Sequence, residues 1–300
     1  MTKGYHNPVL LKETVGGLNI REDGVYVDVT FGGGGHSKEI LDRLGEKGRL
    51  IAFDQDQDAL LNIIDDSRFT LINENFRYLK RFLRFHGVMK VDGILADFGV
   101  SSHQFDVAER GFSIRFDGEL DMRMNRQDEL SAYHVINEYD EEQLRQVLKE
   151  YGELRQAPAI ARVIVAERKT QNIKTTDQLK SVLKKFLPPR RENKILAQIY
   201  QAIRIEVNQE IEALKEFLTQ TPELLDVGGR LSFISYHSLE DRLVKRFIRN
   251  GMFEGEPEKD VFGNFEVPFK KVGKLIVPGQ EEIEINNRAR SAKLRIAERI

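Results

Sequence analysis

Five short apolar runs stand out along the chain: VYVDVT at 25–30, RLIAFD at 49–54, FTLINEN at 69–75, VDGILADFGV at 91–100 and GRLSFISYH at 229–237. Their length and their content of Val, Ile, Leu and Phe predict strands. Between the first four, the spacing of apolar positions predicts helices over 37–44, 58–64 and 76–85. Alternation of this kind builds a parallel sheet with helices on both faces.

After about residue 100 the alternation stops, and from 101 to 228 apolar positions recur at helical spacing. Leu144, Val147, Leu148 and Tyr151 share one face, and Ile160, Val163 and Ile164 another, after Pro158 near a helix start. Thr175-x-x-Gln178 has the form of a capping box. It opens a helix carrying Leu179, Val182, Leu183 and Phe186, which stops at Pro188-Pro189. Ile203, Val207, Ile211, Leu214 and Leu218 form one long stripe leading back to the sheet, which resumes at Gly229. A crossover between parallel strands needs only about a dozen residues, so an excess of roughly 100 predicts an inserted all-helical domain. The expected division is a core of 1–105 and 206–300 around an insertion of 106–205. Ligands in such sheets sit outside the carboxyl ends of the strands. The insertion leaves from that edge, just past Asp97, where it is placed to cover the site and to contact a second substrate.

The first strand, with Asp28 near its end, runs into four glycines, Gly32 to Gly35. Only glycine lets a backbone pass close to a bulky ligand without a Cβ clash. Ser37 is the expected N-cap of the next helix, Ile40, Leu41 and Leu44 its apolar face, and Gly45 its stop. Asp54 ends the second strand, where an α/β sheet holds a ribose by its two hydroxyls. The fingerprint GxGxxG is met at Gly32 and Gly34, but Ser37 stands at its third glycine. The loop alone leaves a nicotinamide cofactor and S-adenosylmethionine both open. It lacks the GK[ST] ending of a P-loop, which disfavours an NTPase.

With 300 residues, 40% of them hydrophobic, the chain can bury a sizeable core. It has no cysteine, which excludes disulfides, thiolate zinc sites and cysteine nucleophiles. The N-terminus lacks an apolar signal-peptide core and no stretch approaches 18 apolar residues, so a soluble, cytoplasmic protein is expected. The net charge is −2, so any nucleic-acid surface must be local. Residues 153–204 provide one. Twelve cations (Arg155, Arg162, Arg168, Lys169, Lys174, Lys180, Lys184, Lys185, Arg190, Arg191, Lys194 and Arg204) face four acids (Glu153, Glu167, Asp177 and Glu192). A charge run is usually a solvated face; one this long and one-sided points to an anionic partner. Lys184, Lys185, Arg190 and Arg191 are the expected contacts with that partner.

Asp97 ends the strand VDGILAD and begins DFGVSS. In methyltransferases acting on amino groups of bases, an Asp, Asn or Ser before Pro-Pro-aromatic occupies this place and accepts a hydrogen bond from the exocyclic amine. Here the Asp is present without the Pro-Pro-aromatic, and the competing reading is a turn cap. Asp54-x-Asp56-x-Asp58 fails as a calcium loop, because the sixth position is Ala59 and the twelfth Asp65. Asp58 is better placed to cap a helix. Ser235, His237 and Asp241 lie outside any G-x-S-x-G elbow, and Ser238-x-x-Asp241 reads as the N-cap of LEDRLVKRFI. The six histidines show no metal-ligand spacing, and no metal is expected. The C-terminal NNRARSAKLRIAERI is either a terminal strand or helix with solvated basic side chains or part of an RNA-facing surface.

Together these segments resemble the bacterial ribosomal small-subunit RNA cytosine-N(4) methyltransferases, the RsmH/MraW family. The likeness runs through HNPVL at 6–10, DVTFGGGGHS at 28–37, DGILADFGVSS at 92–102, ERGFSIRFDGELDMRM at 109–124, QAIRIEVNQE at 201–210, GGRLSFISYHSLEDRLVK at 228–245 and RSAKLRIAER at 290–299. It implies a Rossmann-like S-adenosylmethionine-dependent methyltransferase sheet with an inserted helical domain. It implies methylation of a cytidine N(4) amine in the decoding region of 16S rRNA, in an assembled or late-assembling small subunit. It leaves a homodimer open and implies no membrane partner. The implied cofactor contacts are Gly34, Gly35 and His36, Asp54 on the ribose, Phe76 near the adenine, and Asp97 and Gln104 near the methionine end, with Asp97 also catalytic. The chain departs from the family pattern at Gly33 (Arg there), His103 (Pro) and Asn125 (Asp). Two other readings compete. A nicotinamide-dependent oxidoreductase could use the same loop, but the third glycine and a Tyr-x-x-x-Lys are missing. A non-catalytic RNA-binding module has no need of Asp54 and Asp97.

Overall fold

The computed structural model describes residues 8–258, 260 and 265–300, so His6 and Asn7 of HNPVL lie outside the described residues. In chain order the elements are α1 (Leu11–Gly17), β1 (Val25–Asp28), α2 (Gly35–Leu41), β2 (Arg49–Phe53), β3 (Phe69–Ile72), α3 (Leu79–Phe85), β4 (Val91–Asp97), α4 (Ser102–Asp106), α5 (Ala132–Asn137), α6 (Glu141–Glu150), α7 (Ala157–Arg168), α8 (Thr176–Val182), α9 (Glu192–Asn208), α10 (Glu210–Leu224), β5 (Leu225–Ser235), α11 (Ser238–Asn250), β6 (Phe269–Ile276), α12 (Gln280–Ile285) and β7 (Lys293–Arg299). The chain divides into two compact units, residues 1–99 with 211–300, and residues 100–210. No helix among the described residues is long and apolar enough to cross a membrane.

The first unit holds the sheet, in the order β3-β2-β1-β4-β5-β7-β6. Strands β1 to β5 are parallel; β7 runs antiparallel to both β5 and β6. This is a Rossmann-like sheet, whose order reverses between β1 and β4. Successive side chains on a strand point to opposite faces. Val27, Ile51 and Ile94 pack with Leu79 and Leu83 of α3, Phe217 of α10 and Phe247 of α11. Their neighbours Tyr26, Leu50 and Leu95 pack on the other face with Val15 of α1 and Ile40 and Leu41 of α2. All five strands read from the sequence are present, although β5 begins at Leu225 rather than Gly229. The helix expected over 58–64 is a 3₁₀ helix, Gln57–Asn62, capped by Asp56 rather than Asp58: the Asp56 carboxylate accepts the Asp58 N–H. The C-terminal basic segment ends in strand β7, and its Lys293, Arg295 and Arg299 are used internally. Arg295 binds Asp241, and Arg299 donates to the carbonyls of Pro222 and Pro268.

The second unit is helical, with a single isolated β-bridge among its described residues, Glu119 to Thr175. Leu144, Val147, Leu148, Ile160 and Ile164 lie in its core with Leu179 and Ile203. Thr175 and Gln178 close the capping box read from the sequence. The single stripe expected from Ile203 to Leu218 is broken. Asn208 ends α9, Gln209 takes a left-handed φ of 48°, and α10 begins at Glu210. The buried Asn208 amide sets this stop by donating to the carbonyls of Met122 and Arg204 while accepting from Met124 N–H.

Candidate active site

The loop after β1 turns through Gly32 (φ 51°) and Gly34 (φ 76°), both in the region that disfavours side chains. A Cβ on Gly34 would lie 2.9 Å from the Phe31 ring, and one on Gly35 would lie 2.1 Å from Pro8. Gly34, not Ser37, is the N-cap of α2, and the helix ends at Leu41, well before Gly45. Ser37 has a stronger partner than a helix cap. Its hydroxyl donates to Oδ2 of Asp28 at 2.7 Å, and Asp28 is fully buried. The Gly34 N–H donates to Phe31 C=O. Gly35 and His36 lie in the first turn of α2, where an N–H has no intrahelical acceptor. The His36 ring is buried and turned inward, with Nε2 3.1 Å from Val9 C=O. A carbonyl only accepts, so Nε2 is the donor, and Nδ1 faces Asp97 Oδ2 at 4.0 Å.

Asp54 follows β2 at the same edge. Its Oδ2 accepts the Gly32 N–H at 2.7 Å and its Oδ1 the Asp56 N–H at 2.9 Å. The carboxylate therefore braces the glycine loop, and a carboxylate's four lone-pair sites leave one acceptor position on each oxygen. Burial, partly offset by these two N–H groups, raises its pKa to about 6.

Asp97 closes β4. Its own N–H donates to Thr30 Oγ1, and its Oδ1 accepts the Tyr236 hydroxyl at 2.7 Å. The Tyr236 N–H is fixed by Glu240 Oε2 at 2.9 Å. Burial raises the Asp97 pKa to about 6, against the pull of His36 and the Tyr236 hydrogen bond. Tyr236 is raised well above its ordinary value, by burial and then by the Asp97 charge, and stays a donor. Asp28, beneath the loop, is raised by burial too. The site thus gathers carboxylates in a poorly solvated place, a cost that marks functional positions. Sequence reading missed Tyr236 and Thr30 and gave Asp28 no role. The available signal was topological: Asp97 pairs with Ile234, so the residues just past β5 converge on the end of β4.

Gly34, Gly35, His36, Asp54 and Asp97 are therefore brought together in the first unit. Phe76, in a 3₁₀ turn after β3, is half-buried in the same unit, its ring packed edge-on against Phe98 and Phe217 at 6.0 and 5.3 Å. Gln104 belongs to the second unit, where it is buried and accepts the Ser101 N–H to close the capping box of α4. His103, in the same short helix, is exposed, as is Gly33. Asn125 ties a turn, binding Asp128 and the Gln127 N–H. The basic segment sorts into two sets. Arg168 donates to the carbonyls of Ile136 and Tyr139, Arg204 pairs with Glu210, Lys180 with Glu192 and Arg162 with Glu141. Lys184, Lys185, Arg190 and Arg191 are exposed and form no ion pair with a described residue; Lys185 lies over the Phe186 ring. Helix α11 starts at Ser238 with His237 as its N-cap, and Asp241 binds Arg295 and Lys293 instead of capping.

Known proteins match nearly the whole chain in sequence. Residues 3–300 match the MraW methylase family. The ribosomal RNA small subunit methyltransferase H of Flavobacterium johnsoniae is 72% identical over 299 residues, covering 100% of this chain and 99% of that protein. The protein of the same description from Christiangramia forsetii is 71% identical, covering 99% and 98%, and that from Bacteroides thetaiotaomicron 56% identical, covering 98% and 97%. A likeness of this extent places the chain in the MraW methylase family.

Proposed function

We propose that the protein transfers a methyl group from S-adenosylmethionine to the N(4) amine of a cytidine in the decoding region of 16S rRNA. The substrate would be an assembled or late-assembling small subunit in the cytoplasm. The observation that carries this reading is the Asp97 carboxylate, fixed by Tyr236 at the sheet edge beside the glycine loop and Asp54. The relatives' description as small-subunit RNA methyltransferases supports the substrate class.

The residues fit the cofactor. The loop bends through positions that tolerate no side chain, α2 offers the N–H groups of Gly35 and His36, and Asp54 keeps a lone pair on each oxygen for the ribose. Gly34 would serve by its turn rather than by its N–H, and His36 by its backbone rather than its ring. Phe76 would border the adenine and Asp97 the methionine end, and Gln104 is a further contact that the family resemblance implies. S-adenosylmethionine, when bound, supplies an electrophilic methyl group on a sulfonium. Asp97, held by Tyr236 at Oδ1, presents Oδ2 to the incoming amine. The amine's lone pair is delocalised into the base, so accepting its N–H hydrogen bond favours the pyramidal, attacking nitrogen. That bond strengthens as positive charge develops on nitrogen. With a pKa of about 6, Asp97 is ionised at neutral pH and basic enough to take the proton that the methylated amine sheds. The exposed Lys184, Lys185, Arg190 and Arg191 would bind RNA phosphates.

Thermal denaturation with S-adenosylhomocysteine and with NADH tests the cofactor assignment. A ligand at 100 times its Kd should stabilise the native state by about 2.7 kcal/mol. S-adenosylhomocysteine is expected to raise Tm and NADH to leave it unchanged; the reverse result overturns the assignment.

A further inference from the structure

We propose that a groove between α11 and the β6–β7 edge of the sheet holds a single-stranded stretch of the RNA substrate by its phosphates. The inference rests on the reading of the substrate as RNA. The groove, about 330 Å³, is floored by Ile248, Val272, Leu275 and Ile296. Lys245, Arg249, Lys271 and Lys274 ring this floor, and among the described residues no carboxylate lines it. A fifth cation, Arg295, is already neutralised by Asp241. The bulge in β6, with Gly273 at φ 65°, breaks the two-residue alternation and brings Val272, Lys274 and Leu275 to the same groove.

Lysines on β6 alone would be explained as guards against edge-to-edge pairing, since β6 is the last strand of the sheet. That explanation leaves out Lys245 and Arg249. They come from α11, stand one turn apart, and so repel each other at i,i+4. Four exposed cations from two elements, set around an apolar floor in a chain of net charge −2, form a local excess that an anion relieves. The chemistry that fits is a phosphodiester strand, with phosphates on the rim and a sugar or base on the floor. The volume is at the small end of ligand pockets, about 300–1,000 Å³, which suits one extended strand. Position agrees. β6 lies three strand spacings from β4, about 14 Å from the line of Asp97. A strand with one nucleotide at Asp97 would reach the groove with its neighbours.

The test compares wild type with a variant carrying Lys245→Gln, Arg249→Gln, Lys271→Gln and Lys274→Gln. All four side chains are exposed, so the fold should hold, checked by unchanged Tm and unchanged calorimetric affinity for S-adenosylhomocysteine. Binding of a labelled single-stranded RNA of about 12 nucleotides is followed by anisotropy over a salt series. The magnitude of the slope of log K against log salt should fall by about 0.7 for each phosphate no longer neutralised, so by about 2–3 if all four cations engage. The KM for small subunits should rise at least tenfold with kcat unchanged. An unchanged slope and KM would mean that the groove is a solvated edge. Loss of affinity for polyglutamate with wild-type RNA binding would assign the groove to an acidic protein and equally overturn the proposal. If wild type binds RNA through the groove but methylates no small subunit, the substrate reading fails while the groove stands.

Discussion

Replacing Asp97 by Asn separates the chemistry of the site from its architecture. Asparagine keeps the shape and the Oδ1 that accepts from Tyr236, now 2.7 Å away, and loses only the charge. Two effects follow in opposite directions. Turnover should fall by roughly 10²–10³-fold, the effect of removing one preorganised group that meets developing charge. Stability should rise. Burial lifts the Asp97 pKa from 3.8 to about 6, and one unit corresponds to about 1.4 kcal/mol. With the side chain 24% exposed, ionisation should destabilise the native state by about 1–3 kcal/mol at pH 8. Because the folded pKa lies above the unfolded one, the native state holds this proton more tightly. The stabilising contribution is full below about pH 4 and is lost as pH rises through 6. The variant should therefore gain stability over wild type at pH 8 and little at pH 4. Single-turnover methylation of small subunits at saturating S-adenosylmethionine measures the rate, and urea unfolding at the two pH values measures the stability. Wild-type rates at pH 8 would refute the catalytic role; a slower rate with equal destabilisation at both pH values would mean misfolding rather than impaired chemistry.

Asp54→Ala should weaken S-adenosylhomocysteine binding by about 1.5–3 kcal/mol, read by calorimetry on a folded variant; unchanged affinity would remove Asp54 from the site. In wild type the same affinity should decline below about pH 6 as Asp54 takes up its proton, and a flat profile would show that its ionised form is not required. Tyr236→Phe should leave cofactor affinity intact, lower kcat about tenfold and move the acid limb of the kcat–pH profile upward, because a hydrogen bond holding Asp97 ionised is gone; an unmoved profile would make Tyr236 a packing residue only. Gln at Lys184, Lys185, Arg190 and Arg191 should flatten the salt dependence of RNA binding by up to about 0.7–0.9 log units for each phosphate left unbound, with no effect on the cofactor; a wild-type slope would mark the cluster as a solvated face.

The sheet was legible because its strands are buried runs whose alternate residues must satisfy two faces, as Tyr26 and Val27 do. Thr175 and Gln178 announced a helix start because both halves of a capping box lie within four residues. What the sequence hid depends on partners distant along the chain. Ser37 looks like a cap until Asp28 is seen to take its hydroxyl, and Ser238-x-x-Asp241 looks like one until Arg295 claims the aspartate. The break at Gln209 follows from the bonds of Asn208 to Met122 and Met124, some 85 residues earlier, which no helical periodicity contains. In the site, Asp54 and Asp97 could be placed by their position at strand ends. Tyr236 could not, since its role appears only when the ends of β4 and β5 are brought side by side. Net charge likewise misled within the basic segment: Arg168, Lys180 and Arg204 are tied to partners in the same unit, and only the structure tells these from cations such as Lys184.

The most direct test of the proposed chemistry is nucleoside mass spectrometry after incubating the protein, small ribosomal subunits lacking the modification and S-adenosylmethionine with a deuterated methyl group. The expected result is a single deuterated product, N(4)-methylcytidine, recovered from a decoding-region fragment of the RNA and formed roughly 10²–10³-fold more slowly with Asp97→Asn. A deuterated methyl group on cytidine C5, on ribose or on another base, with no N(4)-methylcytidine, would contradict it.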